Sequence, residues 1–120
     1  MTNEMMYKTF KKLSGHIEGW SVKEADTACF GQLFHCKAWL YGVDIDNKRY
    51  MVLKSYNTVV AVWDVEENVI IDALRAVYGY TNTSAQHISK FVKWVTARRI
   101  NSKPTVYRVR EWNKIEKVAV

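Results

Sequence analysis

Tyr50-Met-Val-Leu-Lys-Ser-Tyr-Asn-Thr-Val-Val-Ala61 and Tyr78-Gly-Tyr-Thr-Asn-Thr-Ser-Ala-Gln-His-Ile-Ser-Lys-Phe91 are the two runs whose reading decides the fold. The first is a pair of β-type runs joined by the polar corner Ser55-Tyr56-Asn57. The second is an aromatic run that leads into a helix start. Between and after them the hydrophobic period changes from 2 to 3.6, the mark of strands followed by an amphipathic helix.

Working outward towards the N-terminus, Trp39, Tyr41, Val43 and Ile45 alternate with Ala38, Leu40 and Gly42, as in a half-buried strand. Asp46-Asn47-Lys48 is a turn, because Asp and Asn tolerate left-handed backbone and bond locally. Arg49–Leu53 returns, Thr58–Trp63 returns again, and Asp64-Val-Glu-Glu-Asn68 turns the chain into Val69–Leu74. Arg75–Tyr80 reads either as an extension of that strand or as a linking loop. The result is an antiparallel meander of about three to five strands, centred on residues 35–74.

The main helix is expected at about 83–99, with Thr83 as cap and Gln86 completing the box. Ile88, Phe91, Val92 and Val95 form one apolar stripe, while Lys90, Lys93 and Arg98 lie off it. Arg98-Arg99 suit the negative end of the helix dipole, and Pro104 prevents continuation. Thr105–Arg110 alternates again, with Arg108 and Arg110 on one face and Tyr107 and Val109 on the other. Glu111–Val120 reads as a last helical turn or as an extended arm, a tail either extended or loosely held. At the other end, Met6, Phe10 and Leu13 recur at helical spacing over residues 3–13, with Gly15 as a stop, and a strand through residues 6–10 competes. Ser21-Val-Lys-Glu24 is a capping-box pattern that predicts a short helix over Val22–Phe30, ended by Gly31. The fold class is therefore α+β: one domain over residues 1–120, with the helix laid on one face of the sheet and short helical segments at the N-terminus.

The net charge of +6 is unevenly placed. Residues 1–12 sum to +2 and residues 13–82 to −3. Residues 83–120, with nine bases against Glu111 and Glu116, sum to +7. This asymmetry predicts a polyanion or an acidic protein surface as partner, against the alternative of a merely solvated basic face. No apolar run approaches the roughly 20 residues that span a bilayer, and the N-terminus lacks the pattern of a signal peptide. A cytoplasmic protein is expected, with Cys29 and Cys36 as buried thiols rather than a disulfide.

Catalytic and metal chemistry find little support. His35, Cys36 and Cys29 offer zinc-type donors, but their spacing matches no paired ligand module. No signature flanks either cysteine as a nucleophile. His87 reads as a boundary histidine bonded to backbone or to the Thr81-Asn-Thr turn. Asp44, Asp46, Asp64, Glu66, Glu67 and Asp72 fall mostly in turns; only Asp44 and Asp72 with Lys54 suggest a nuclease set, and nothing in the spacing requires it. The glycines are scattered and form no phosphate loop. No cofactor is expected and the chain reads as a non-enzyme. Trp20, Trp63, Trp94 and Trp112 are too many for the core alone, and aromatic residues interleaved with bases serve as interface anchors or as stacking platforms. The candidate partner-binding residues are Lys90, Lys93, Trp94, Arg98, Arg99, Arg108 and Arg110.

Leu53-Lys-Ser-Tyr-Asn-Thr-Val-Val-Ala61 together with Tyr78–Phe91 resembles a group of small proteins of phages and mobile elements of Gram-positive bacteria. Their pattern is a Ser-Tyr-x-Thr strand ending in alanine, a Tyr-rich segment, then Thr-Ser-x-x-His-(Ile/Leu)-x-x-Phe. The likeness covers about residues 35–95 and carries no catalytic residues. It implies a mobile-element origin and a bacterial cytoplasm. Small phage proteins of this kind act by binding host factors, and inhibitors of RNA-guided nucleases (anti-CRISPR proteins) are a prominent group. The resemblance therefore implies inhibition of a bacterial defence nuclease through a basic, aromatic surface. A basic chain does not suit nucleic-acid mimicry, and fits an acidic protein patch or bound RNA or DNA instead. The alternative is a nucleic-acid-binding module that uses the basic C-terminal third.

Overall fold

The computed structural model describes residues 2–17, 27–32, 37–99 and 102–118. The meander is present and larger than expected. Strands β1 (Thr27–Gln32), β2 (Ala38–Ile45), β3 (Lys48–Ser55), β4 (Thr58–Asp64), β5 (Val69–Asp72), β6 (Thr105–Glu111) and β7 (Lys114–Val118) form one seven-stranded sheet in sequence order. Every pairing is antiparallel except β5 with β6, which run parallel. A parallel pair needs a crossover, and the chain supplies it with helices α2 (Leu74–Val77) and α3 (Asn82–Arg98). Helix α1 (Asn3–Ile17) precedes the sheet.

Turn chemistry sets the register. Asp46 and Asn47 both adopt positive φ (53° and 64°), the geometry of the two-residue hairpin turn whose twist matches the strands it joins. The β3–β4 turn places Tyr56 at φ 53°. Asn68, at φ 55°, closes the β4–β5 turn and ties three elements. Its Oδ1 accepts from Trp63 Nε1 at 3.0 Å, its Nδ2 donates to Ser102 O at 3.1 Å, and its carbonyl accepts from the Thr105 amide at 3.0 Å.

Each face of the sheet carries a helix. On one face Met6, Phe10 and Leu13 of α1 pack on Tyr41, Val43, Val52, Val62, Ile71 and Val109. Thr2 caps α1 by accepting from the Met5 amide, and the competing strand over residues 6–10 is not formed. Gly15 does not stop the helix, which continues to Ile17. On the other face Ile88, Phe91 and Val95 of α3 pack on Leu40, Met51, Leu53, Ala61, Ile70 and Val106.

Four expectations need correction. Thr81, not Thr83, caps α3: its Oγ1 accepts from the Ser84 amide at 3.1 Å. The earlier start turns Ser84 inward, where it finds a partner on β3. Thr27–Phe30 is strand rather than helix, because pairing with β2 outweighs the capping pattern; residues 22–26 lie outside the described residues. Arg75–Tyr80 is neither strand nor plain loop at its start but the turn of α2, closed by Gly79 at φ 90°, whose amide bonds Leu74 O at 3.0 Å. The tail is the extended alternative and not a last helical turn: Lys114–Val118 is β7, paired with β6 along Val106–Glu111.

Candidate partner interface

At 3.6 residues per turn, fixing Phe91 and Val95 on the sheet fixes every other side chain of α3. Lys93 points outward and Lys90 lies beside it, half buried. The remaining expected contacts separate onto two flanks. Trp94 and Arg98 lie on one, while Ser89, Val92 and Thr96 face β6 and β7 on the other.

On the first flank the Arg98 guanidinium lies 3.8 Å from the Trp94 ring centroid, and Trp94 meets Trp63 edge-on at 6.3 Å. Arg99 lies 5.9 Å from the Trp63 ring and its Nη2 donates to Val65 O. A cation over an indole is held by the ring quadrupole, so both arginines are positioned rather than free. Trp63, expected among the partly exposed tryptophans, is buried under this pair. Trp94 and Trp112 are half-buried, and Trp20 lies outside the described residues.

The second flank is a groove of about 640 Å³ between α3 and the β6–β7 hairpin. Val106, Arg108 and Val118 form its floor, Ile88 and Val92 its wall, and Lys93 and Lys103 its rim. Asp72 sits at its base, 3 % exposed. Its Oδ1 accepts from the Leu74 amide at 3.1 Å, and its Oδ2 lies 3.9 Å from Arg108 Nε, close enough to attract but too far to hydrogen-bond. Burial pushes the Asp72 carboxyl above its usual range, against the pull of the Leu74 amide, Arg108 and Arg75. Arg108 Nε is buried and makes no hydrogen bond among the described residues. Arg110 donates to Glu116 at 3.2 Å at the end of the hairpin.

The seven expected residues therefore do not form one patch. Lys93 and Arg108 belong to the groove, Trp94, Arg98 and Arg99 to the tryptophan flank, Arg110 to an ion pair, and Lys90 to the ridge between. Sequence reading missed Lys103, and it named Asp72 only within a carboxylate set and Trp63 only as a partly exposed tryptophan. Asp72 had a usable signal: it follows Ile70 at strand spacing, on the same inward face.

A further polar cluster lies beneath the N-terminal turns of α3. Ser55 Oγ bonds His87 Nδ1 at 2.7 Å and Ser84 Oγ at 3.1 Å, with the Tyr56 ring 5.7 Å from the imidazole. His87 is thus no boundary residue; it is 2 % exposed and its partner is a side chain. Burial, aided by Lys90, holds its pKa below the ordinary imidazole value. A bonded serine and histidine are the elements of a nucleophile pair, but nucleophilic attack needs access and Ser55 is fully buried. The cluster clasps α3 to β3.

The carboxylates do not converge. Asp44 pairs with Arg49, Asp46 with Lys12 and Asp64 with Lys48, each away from Asp72. No group of three or more His, Cys, Asp or Glu is placed to hold a metal ion among the described residues. His35, Cys36 and the Cys29 side chain lie outside them. No helix among the described residues is long and apolar enough to cross a membrane. No family model, curated protein or solved structure matches this chain.

Proposed function

We propose that this chain is a non-enzymatic binding protein that receives an acidic surface of a macromolecular partner on the exposed ridge of α3 and the adjoining tryptophan flank. One observation supports this reading above the others: no Asp or Glu occurs between Asp72 and Glu111, and this acid-free segment builds α3 and most of β6. Lys93 and Lys103 stand exposed there without an ion pair among the described residues, while Arg98 is held in place on Trp94. Pre-positioned arginine and tryptophan beside exposed lysines suit a protein interface, where aromatic and arginine anchors dominate. The likeness to proteins of Gram-positive phages and mobile elements makes a bacterial defence nuclease the partner of choice, with inhibition as the outcome.

The test is cleavage by a purified, guide-loaded RNA-guided nuclease, with binding measured in parallel. Lys90→Glu with Lys93→Glu is expected to weaken binding at least about a hundredfold while melting like the parent, because it sets like charge against like. Unchanged cleavage by each nuclease tried, with no complex formed, overturns the nuclease reading.

The exposed Tyr78 and Tyr80, with Arg75 5.0 Å from the Tyr80 ring, favour a second reading, stacking of unpaired bases. If only Lys90, Lys93 and Lys103 meet phosphates, the log–log salt slope on duplex DNA should be about −3. Engagement of six cations would make it about −5. Fluorescence anisotropy with labelled DNA and RNA separates these, and no binding at low salt removes the reading.

A further inference from the structure

We propose that the groove between α3 and the β6–β7 hairpin is a binding site for a small amphipathic anion, a carboxylate or phosphate head on an aliphatic body. This does not rest on the partner reading: Lys93 and Lys103 at the rim border both surfaces, but the floor and wall lie on the flank of α3 away from Trp94.

Size, wall chemistry and charge each bear on the ligand. A volume of about 640 Å³ falls in the range of small-molecule sites, which are mostly apolar with a few convergent polar groups. The apolar lining is Ile88, Val92, Val106 and Val118, with Ser89 and Thr96 beside it, and among the described residues no aromatic ring lines the groove. An aliphatic body is therefore matched and a stacked base is not. The lining is cationic among the described residues: it holds Lys93, Lys103 and Arg108 against Asp72, with Glu116 beside Arg108.

One of these cations is incompletely satisfied. Arg108 Nε is buried without a hydrogen bond among the described residues and lies 3.9 Å from Asp72 Oδ2, while Arg108 Nη1 lies 3.9 Å from Glu116 Oε1. A buried donor left unpaired is costly, and guanidinium binds carboxylate and phosphate oxygens through paired N–H groups. An anionic head at the groove base would supply the missing acceptor. Asp72, which burial holds towards its neutral form, opposes that head less than an ordinary carboxylate would and can donate a hydrogen bond to it when protonated.

Amide NMR titration of the full chain with decanoate and with decyl phosphate tests the assignment, with decyltrimethylammonium and acetate as controls. Expected are saturable shifts confined to amides around Ser89, Val92, Val106, Arg108 and Val118, stronger for one of the two anions, which then identifies the head group. Acetate should bind far more weakly for want of an aliphatic body. Arg108→Gln should weaken binding about tenfold, the worth of a charge-assisted hydrogen bond. Lys103→Glu, an exposed change that leaves packing alone, should weaken it severalfold and carries the test if Arg108→Gln fails to fold. Equal binding of the quaternary ammonium, shifts scattered over the surface, or undiminished affinity in Lys103→Glu overturns the proposal.

Discussion

The two faces of the sheet are covered by helices of similar length in different ways. Beneath α1, Met6, Phe10 and Leu13 enter an apolar cluster, with Tyr7 and Phe10 closed over by Trp112. The buried polar groups on this face do not tie the helix to the sheet: Ser14 donates to Lys11 O of its own helix and Asp64 pairs with Lys48 of β3. Beneath α3 the apolar core of Phe91 and Val95 is bordered by Ser55, Ser84 and His87 on one side and by Asp72 and Arg108 on the other. Apolar packing is tolerant of small shifts, whereas hydrogen-bonded groups fix one register. The α1 layer therefore serves mainly to cover the sheet. The α3 layer is aligned, and alignment is what a surface of placed charges requires.

The largest effects should come from the cores. Phe10→Ala and Phe91→Ala are each expected to cost about 3–5 kcal/mol, since both rings are fully buried. Denaturant unfolding of the two variants side by side checks this; a much smaller loss for Phe10→Ala would make α1 a peripheral cover and sharpen the contrast. Next in size, Ser55→Ala strands His87 Nδ1 and Ser84 Oγ and should cost about 1–3 kcal/mol, against well under 1 kcal/mol for the part-buried Ser14→Ala under α1. Similar losses in the two would show that the clasp is no stronger than an ordinary helix serine.

Two glycines should respond in opposite directions. Gly15 lies inside α1 with nothing within 4 Å of where a Cβ would sit, so Gly15→Ala should stabilise by about 0.5–1 kcal/mol. Gly79 holds φ 90°, so Gly79→Ala should destabilise by about 1 kcal/mol or more despite equally open space. Paired thermal melts decide both. The subtlest effect is on pH. His87 is held below its ordinary value of 6.5, so between its folded and unfolded values the unfolded chain binds a proton that the folded chain does not. Its stabilising contribution is complete above pH 6.5 and is lost as pH falls through the folded value. A His87→Gln variant should lose less stability than the parent between pH 7.5 and 5.5, and equal losses would remove His87 as the cause.

The meander was legible where turn chemistry was explicit. Asp46-Asn47 announced its hairpin, and the Ile88–Val95 stripe announced both the existence of α3 and the face it buries. Three features were not legible, each for a physical reason. Lys114-Ile-Glu-Lys-Val118 is an edge strand with charges at three of five positions, which protect an edge but erase the alternating pattern. The parallel pairing of β5 with β6 is a long-range contact with no local trace. The bonding of Ser55 to Ser84 and His87 depends on where α3 starts, because a cap two residues earlier brings Ser84 into the helix above β3. The inward face of His87, four residues before Phe91, follows from the stripe itself. The candidate contact residues are basic and aromatic, and their division between two flanks follows from the helix register, which composition does not carry.

The Asn68 tie has a consequence for how the molecule assembles. It joins positions 34 residues apart, across the whole α3 crossover, whereas the β2–β3 and β3–β4 hairpins close over two-residue turns. Closing a long loop costs more entropy than closing a tight turn, and is repaid only once the intervening helix is in place. The central hairpins can therefore form early, as can the β6–β7 hairpin with its own two-residue turn. The docking of β6 on β5 must wait until α3 has settled on the sheet. Pulse-labelled amide exchange during refolding should record this as protection of Val52 and Val62 ahead of Thr105, whose amide bonds Asn68 O. Simultaneous protection would mean that the long loop closes with the first hairpins. In the expected order, the acid-free segment is the last part of the chain to be locked in place, and the surface with the most charge to offer a partner is completed only at the end of folding.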